Sequence, residues 1–314
     1  MSTPTGLLFP GQGAQVVGMG LALAEKYPAA REVLHRADTV LGISLSKICF
    51  EGPIAELTRT DLSQPAIFAV SLAALAALEQ AGAFRRENAS MAAGLSLGEY
   101  TALCAAGSLP FEDGLRLVRL RGEAMQAAST AKPSSMSAVI GGDEASIEAA
   151  CREASAIGIV SIANKNAPGQ IVISGELAAL EAAEKGCVAR GARRCMRLTV
   201  AGAFHSEVMR PAAERLRAAL AKTAIAAPRV AFYSNVTGGR VDSPDQIREN
   251  LAQQVCAPVL WEASMRASLA AGTKRYIELA PGTALSGMLR KIDSGAQSLP
   301  CETPEHVEAL LASK

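Results

Sequence analysis

A change of rhythm in the middle of the chain restricts the fold more than any other feature. From Ser137 the residues read as strand (Ser-Ala-Val-Ile-Gly), helix (Glu144 to Ser155), strand (Ile-Val-Ser-Ile-Ala-Asn), strand (Gln-Ile-Val-Ile-Ser-Gly), helix (Leu177 to Arg190) and strand (Cys-Met-Arg-Leu-Thr-Val). That order, βαββαβ, is the ferredoxin-like pattern. It predicts a small domain over 131–200 set into a larger one formed by 1–130 and 201–314. Lys132-Pro133-Ser134-Ser135 reads as the entry linker and Ala201-Gly202 as the exit.

The flanking segments alternate strand and helix. Gly6 to Phe9 is a short apolar run cut by Pro10-Gly11, which predicts a buried strand entering a turn. Ser63-Gln64-Pro65 is expected to introduce a helix from Ala66 to about Ala81. Ser90 to Gly94 reads as a strand and Leu97 to Ala106 as a helix. Arg275 to Leu279 reads as a strand, broken by Pro281-Gly282 and followed by a helix through Leu289. Together they predict an α/β layer with a mostly parallel sheet.

Composition narrows the functions available. The 314 residues are 49% hydrophobic and 19% charged, enough to bury a sizeable core. A net charge of +1 supplies no field that would draw the whole molecule to nucleic acid or to a membrane surface, so neither is expected as a partner. The amino terminus lacks a basic segment followed by an apolar core. The longest apolar run, Ala66 to Leu78, is too short to span a bilayer. Seven cysteines form no CxxC pair and no metal-ligand rhythm, which suggests reduced thiols in a cytoplasmic compartment and no metal. Gly11, Gly13, Gly18 and Gly20 do not make a dinucleotide loop, because Val16 stands where a G-x-G-x-x-G needs a small residue.

Chemistry is suggested by Gly94-Leu95-Ser96-Leu97-Gly98. A strand turning sharply into a helix needs glycine on both sides of a strained residue, and a serine at the apex projects its hydroxyl over the helix N-terminus. Five letters alone leave open a small residue in an alanine-rich helix; the strand-turn-helix context favours a nucleophile. A serine needs a base. Of the three histidines, His35 and His306 lie in polar helical stretches where a solvated side chain is expected. His205, in Ala201-Gly202-Ala203-Phe204-His205-Ser206, follows a strand and precedes a helix, where loops present functional groups, although a buried structural histidine remains an alternative there.

Phe9-Pro10-Gly11-Gln12-Gly13, Gly94-x-Ser96-Leu97-Gly98-Glu99-Tyr100, Arg121-Gly122 with Met125-Gln126, Asn164-x-Asn166-x-Pro168-Gly169-Gln170, Phe204-His205-Ser206, and Gln254 followed by Pro258-Val259-x-Trp261 occur in order along nearly the whole chain. In these motifs the sequence resembles the malonyl-CoA:acyl carrier protein transacylases. The resemblance implies an α/β-hydrolase-like large domain with an inserted ferredoxin-like subdomain, malonyl-CoA and acyl carrier protein as partners, no metal or redox cofactor, and a monomer. It makes Ser96 the acyl-accepting nucleophile and His205 its base, aligned by a backbone carbonyl at Gln254. Gln12 and Leu97 would offer backbone N–H groups to the oxyanion, and Asn164 would be a substrate-binding residue. Arg121 would grip the free carboxylate of malonate through its forked guanidinium. Phe204 would disfavour an α-methyl substituent.

The sequence departs from the family's commonest pattern at two positions. Leu95 replaces a histidine, which changes the polarity of the turn, and Ala203 replaces a frequent proline, which is expected to loosen the backbone before His205. A basic run, Arg190-Gly191-Ala192-Arg193-Arg194 with Lys185 and Arg197, reads either as a solvated face or as a surface for an acidic carrier protein. Two further readings stay open: an acyltransferase that loads a polyketide synthase, and a serine thioesterase, which would not need Arg121.

Overall fold

The computed structural model describes residues 3–313. Among the described residues there are nine strands: β1 (Thr5–Phe9), β2 (Met91–Gly94), β3 (Ser134–Ile140), β4 (Val160–Ala167), β5 (Gln170–Glu176), β6 (Arg194–Arg197), β7 (Ala231–Tyr233), β8 (Arg275–Leu279) and β9 (Gln297–Cys301). Five of them form a wholly parallel sheet, sheet A, in the order β7-β2-β1-β8-β9. Every residue of β1 is buried, as expected of a central parallel strand covered on both faces. Leu7 and Phe9 enter the main core, whereas Leu8 joins a separate cluster with Tyr276, Trp261 and Leu289 on the opposite face.

The remaining four strands form sheet B, antiparallel, in the order β4-β5-β3-β6, with the helices Glu144–Ala154 and Leu177–Ala189 in the βαββαβ succession that the sequence predicts. Sheet B has two apolar faces, resolved by the period of two along β5. Ile171 and Ile173 pack in one cluster with Leu180 and Ile147 of the two helices, while Val172 belongs to the main core.

Strands β7 and β9 have no counterpart in the sequence reading. Both lie at the edges of sheet A, where three residues suffice for β7 and Pro300 is tolerated in β9 because an edge strand can spare an N–H.

The long apolar helix also differs from expectation. It runs Thr60–Gln80, with Pro65 inside it. A proline there removes the bond to the carbonyl four residues earlier. Arg119 supplies the missing donor, its Nη1 lying 2.9 Å from the Asp61 carbonyl oxygen. At this length the helix is apolar and long enough to cross a bilayer, contrary to the reading of the shorter run. However, 94% of its apolar window is buried inside the protein, against the helices Phe111–Ala131 and Pro28–Leu41 among others. It is a core helix.

Candidate active site

The site is built at the carboxyl ends of β1 and β2, where open parallel sheets commonly bind ligands. Ser96 is the apex of the turn between β2 and the helix Gly98–Ala105, and its φ of 54° lies in the left-handed region. Both glycines of the motif are required by close approach. A Cβ on Gly94 would lie 1.9 Å from the Gly98 carbonyl oxygen, and one on Gly98 would lie 2.2 Å from that of Phe9. Asn235, just beyond β7, ties the turn down. Its Oδ1 accepts the Ser96 N–H at 2.7 Å and its Nδ2 donates to the Gly94 carbonyl at 2.8 Å.

Ser96 Oγ lies 2.8 Å from His205 Nε2. The other ring nitrogen, Nδ1, lies 2.8 Å from the backbone carbonyl of Gln254, which can only accept, so the proton sits on Nδ1 and Nε2 is free to take one. His205 also has a left-handed backbone, with φ 60°. Burial, with the positive charge of Arg121 acting in the same direction, pushes the imidazole down to about 4, which keeps it neutral at physiological pH. His205 is buried, as the structural alternative also expected, and its unprotonated ring nitrogen faces the serine hydroxyl.

Arg121 extends from the helix Phe111–Ala131 and is only 1% exposed. Its Nη1 donates to Gln64 Oε1 at 2.7 Å, and its Nη2 to Ser96 Oγ and to Gln254 Oε1, both at 2.9 Å. The guanidinium carbon stands 5.8 Å from the centroid of the Tyr100 ring. Its Nε has no partner, and none of these acceptors is charged. A buried cation with neutral acceptors is held at a cost that an anionic ligand would offset.

These groups open on a cavity of about 230 Å³ between the two sheets. Gln12, Ser96, Arg121, His205 and Phe204 line it from the sheet A side, and Asn164, with Met136 and Val172, from sheet B. Gln12 and Leu97 have no partner for their backbone N–H groups among the described residues. The Leu97 side chain is buried and takes no part in the cavity wall. Gln254 is wholly buried and connects the histidine to the arginine, through its backbone oxygen and its side-chain oxygen respectively.

Three residues of the site escape the sequence reading as site members: Gln64, Asn235 and Glu99. A lone charge in the apolar helix Gly98–Ala105 was the available signal for Glu99, and a lone amide before Pro65 was that for Gln64; a strand-end asparagine carries none. Ala203 is corrected. Its N–H donates to Ser134 Oγ of β3 at 3.1 Å, so this backbone is anchored to sheet B by a bond that a proline could not make. All seven cysteines are free thiols, and among the described residues no group of three or more His, Cys, Asp or Glu side chains could hold a metal ion.

A glycine-flanked serine on a strand-turn-helix elbow, paired with a histidine and set beside a buried arginine, has the geometry of a nucleophile elbow. In agreement, the acyl transferase domain family matches residues 7–303. A malonyl CoA-acyl carrier protein transacylase of Bacillus subtilis is 39% identical over 96% of this chain and 94% of its own length. Among solved structures, the acyl-carrier-protein-S-malonyltransferase of Bartonella henselae superposes with a TM-score of 0.95 at 41% identity, covering 99% of both chains. A malonyl-transacylase solved in complex with a type II polyketide synthase acyl carrier protein does so with a TM-score of 0.95 at 34% identity, over 99% of this chain and all of that one. The chain belongs to the malonyl-CoA–acyl carrier protein transacylase family of acyltransferases.

Proposed function

We propose that this protein transfers the malonyl group of malonyl-CoA to the phosphopantetheine thiol of an acyl carrier protein, by way of a malonyl-serine intermediate on Ser96. The observation that carries this reading is Arg121: a buried guanidinium 2.9 Å from the serine oxygen, with only neutral acceptors, suits a substrate whose acyl group ends in a carboxylate. A thioesterase acting on simple acyl chains would gain nothing from it. Relatives named for this reaction, including one bound to its carrier protein, support the choice of donor and acceptor.

Ser96 Oγ attacks the thioester carbonyl carbon as His205 Nε2 takes the hydroxyl proton. The Nδ1–H bond to Gln254 stabilises the imidazolium that forms. Charge on the tetrahedral oxygen is met by the N–H groups of Gln12 and Leu97; one such donor is typically worth about 10²- to 10³-fold. Collapse expels the CoA thiolate, which takes the proton from Nε2. The carrier protein's thiol then gives its proton to Nε2 and attacks the malonyl ester, and the departing Ser96 oxygen takes that proton back from Nε2. Because a thioester is already activated, the scheme uses no metal or redox cofactor. Asn164 faces the same cavity and would contact the donor's arm. Phe204 crowds the acyl α-carbon, and a methylene at such a position counts for about 1–3 kcal/mol.

Extender supply for fatty-acid synthesis in the cytoplasm is the role we assign, the free thiols being suited to a reducing compartment. Polyketide loading is the second reading, favoured by the likeness to the complex with a polyketide carrier.

Intact mass after mixing with malonyl-CoA alone tests the proposal. A lasting malonyl adduct is expected on the wild type and none on Ser96→Ala. Arg121→Ala should lose the preference for malonyl-CoA over acetyl-CoA. Steady release of free acid without an adduct would mean a hydrolase. Discharge onto fatty-acid and polyketide carrier proteins in parallel separates the two roles.

A further inference from the structure

Glu99 is a carboxyl group that the proposed reaction does not use. It is the only charged residue of the helix Gly98–Ala105 and is wholly buried three residues after the serine. Its Oε1 accepts the backbone N–H of Asn235 at 3.1 Å, and its Oε2 accepts from Nε2 of Gln254. Burial pushes its pKa up to about 7, against hydrogen bonds from Asn235, Gln254 and Ser234 and the charge of Arg121, so that above pH 7 Glu99 is the carboxylate, with both oxygens facing donors.

A single amide separates Glu99 from Arg121. Gln254 Nε2 donates to Glu99 and, at 2.8 Å, to the Ser96 carbonyl, while Gln254 Oε1 accepts from Arg121 Nη2. An amide has one donor end and one acceptor end, so whatever fixes the first fixes the second. A carboxylate can only accept. It therefore holds the NH2 end toward itself and turns the oxygen toward the guanidinium, which lies beside Ser96 Oγ.

We propose that Glu99 is a positioning residue for substrate selection: it locks the orientation of the Gln254 amide and thereby aims Arg121 at the acyl carboxylate. The inference rests on the reading of Arg121 as the carboxylate-binding group. It does not extend to the base, because His205 Nδ1 is held by the backbone oxygen of Gln254, which an amide flip leaves in place.

Glu99→Gln keeps the shape and removes the acceptor-only character. One of its two contacts then sets NH2 against a donor. If Gln254 flips to relieve this, its NH2 turns to Arg121 and the Ser96 carbonyl loses its partner. The experiment is the rate of Ser96 acylation by malonyl-CoA and by acetyl-CoA, as kcat/KM with the KM resolved, for the wild type, Glu99→Gln, Glu99→Asp and Arg121→Ala. Glu99→Gln is expected to reduce the malonyl preference about 10- to 100-fold, mainly through the malonyl-CoA KM, the range for losing one hydrogen bond to a charged group. Acetyl transfer, which gains nothing from the aim of Arg121, should fall less than malonyl transfer, so the ratio of the two donors is the readout. Glu99→Asp, an acceptor still but one methylene shorter, should show a smaller loss of the same kind, and carries the test should the Gln variant not fold. An unchanged preference, or an equal loss on both donors, overturns the inference. If Arg121→Ala itself leaves the preference intact, the reading of Arg121 fails. If Arg121→Ala abolishes the preference and the Glu99 variants keep it, only the role of Glu99 falls.

Discussion

Sheets A and B treat polar groups in opposite ways. At the carboxyl ends of sheet A, Glu99, Arg121, His205, Asn235 and Gln254 are buried and bonded to one another around Ser96. On sheet B and its helices the charges lie toward the surface, several of them in ion pairs: Lys185 with Glu181, Arg197 with Glu184, Arg190 with Glu153. Its interior is aliphatic, and toward the cavity it offers Met136 and Val172 beside Asn164. Burying polar groups is costly unless each is satisfied, and exposed ion pairs contribute little. The first arrangement is therefore expected where chemistry demands fixed dipoles, and the second where a wall must simply be stable. Substitutions in the two sheets should separate rate from stability.

The largest expected effect is at the base. His205→Ala should slow acylation of Ser96 by about 10²- to 10⁴-fold, measured by rapid-quench mass spectrometry. The pH dependence follows from its pKa of about 4, against 6.5 for an ordinary histidine. Above that value Nε2 is unprotonated, so the His205 limb of the kcat/KM profile should be flat through neutrality and fall only as the pH approaches 4. The unfolded chain binds the extra proton first, near 6.5, so this group makes the wild type less stable as the pH drops from there toward 4. His205→Ala should lose that part of the pH dependence of stability. A kinetic break near 6.5 that persists in Glu99→Gln, where the carboxyl raised to about 7 is gone, would show that the ring is not desolvated as the geometry requires.

A pair of smaller substitutions sharpens the contrast. Ile173, wholly buried in the aliphatic cluster of sheet B, faces away from the cavity. Ile173→Ala should lower stability by about 2–5 kcal/mol in denaturant unfolding and leave the kcat/KM of the folded enzyme unchanged. Asn235→Ala removes both ties on the serine turn. It should cost about 1–3 kcal/mol for the groups left unpaired, and unlike the first it should also slow acylation, because Ser96 is then free to leave its φ of 54°. Equal effects on rate from both would erase the distinction between the sheets.

The same contrast explains what could be read from the sequence. Sheet B was legible because its period of two and its strand order follow from local apolar patterning. The serine turn was legible because close approach at Gly94 and Gly98 leaves glycine as the only choice. The supports of the site were not. Asn235 reaches the turn across 139 residues of sequence and Gln64 reaches Arg121 across 57, and neither separation leaves a local trace. Pro65 misled for a related reason: a start signal read locally is compatible with a helix interior once a distant arginine satisfies the freed carbonyl.

The smallest expected effect concerns the outer edge of sheet B. Of the basic run, Lys185, Arg190 and Arg197 are engaged in ion pairs, whereas Arg193 and Arg194 are exposed and form no ion pair among the described residues. The strand Arg194–Arg197 is followed directly by Leu198, Thr199 and Val200, which line the cavity. Two cations without ion-pair partners on this exposed edge suit long-range steering of an acidic carrier protein, an effect that salt screens. Alanine at both positions should raise the carrier-protein KM a few-fold at low ionic strength, with the difference vanishing in high salt. The rate of malonyl adduct formation from malonyl-CoA should not change, since Ser96, His205 and Arg121 are untouched. An unchanged carrier KM at low salt would make this face a solvated surface, and sheet B would then serve the site only through the wall it gives to the cavity.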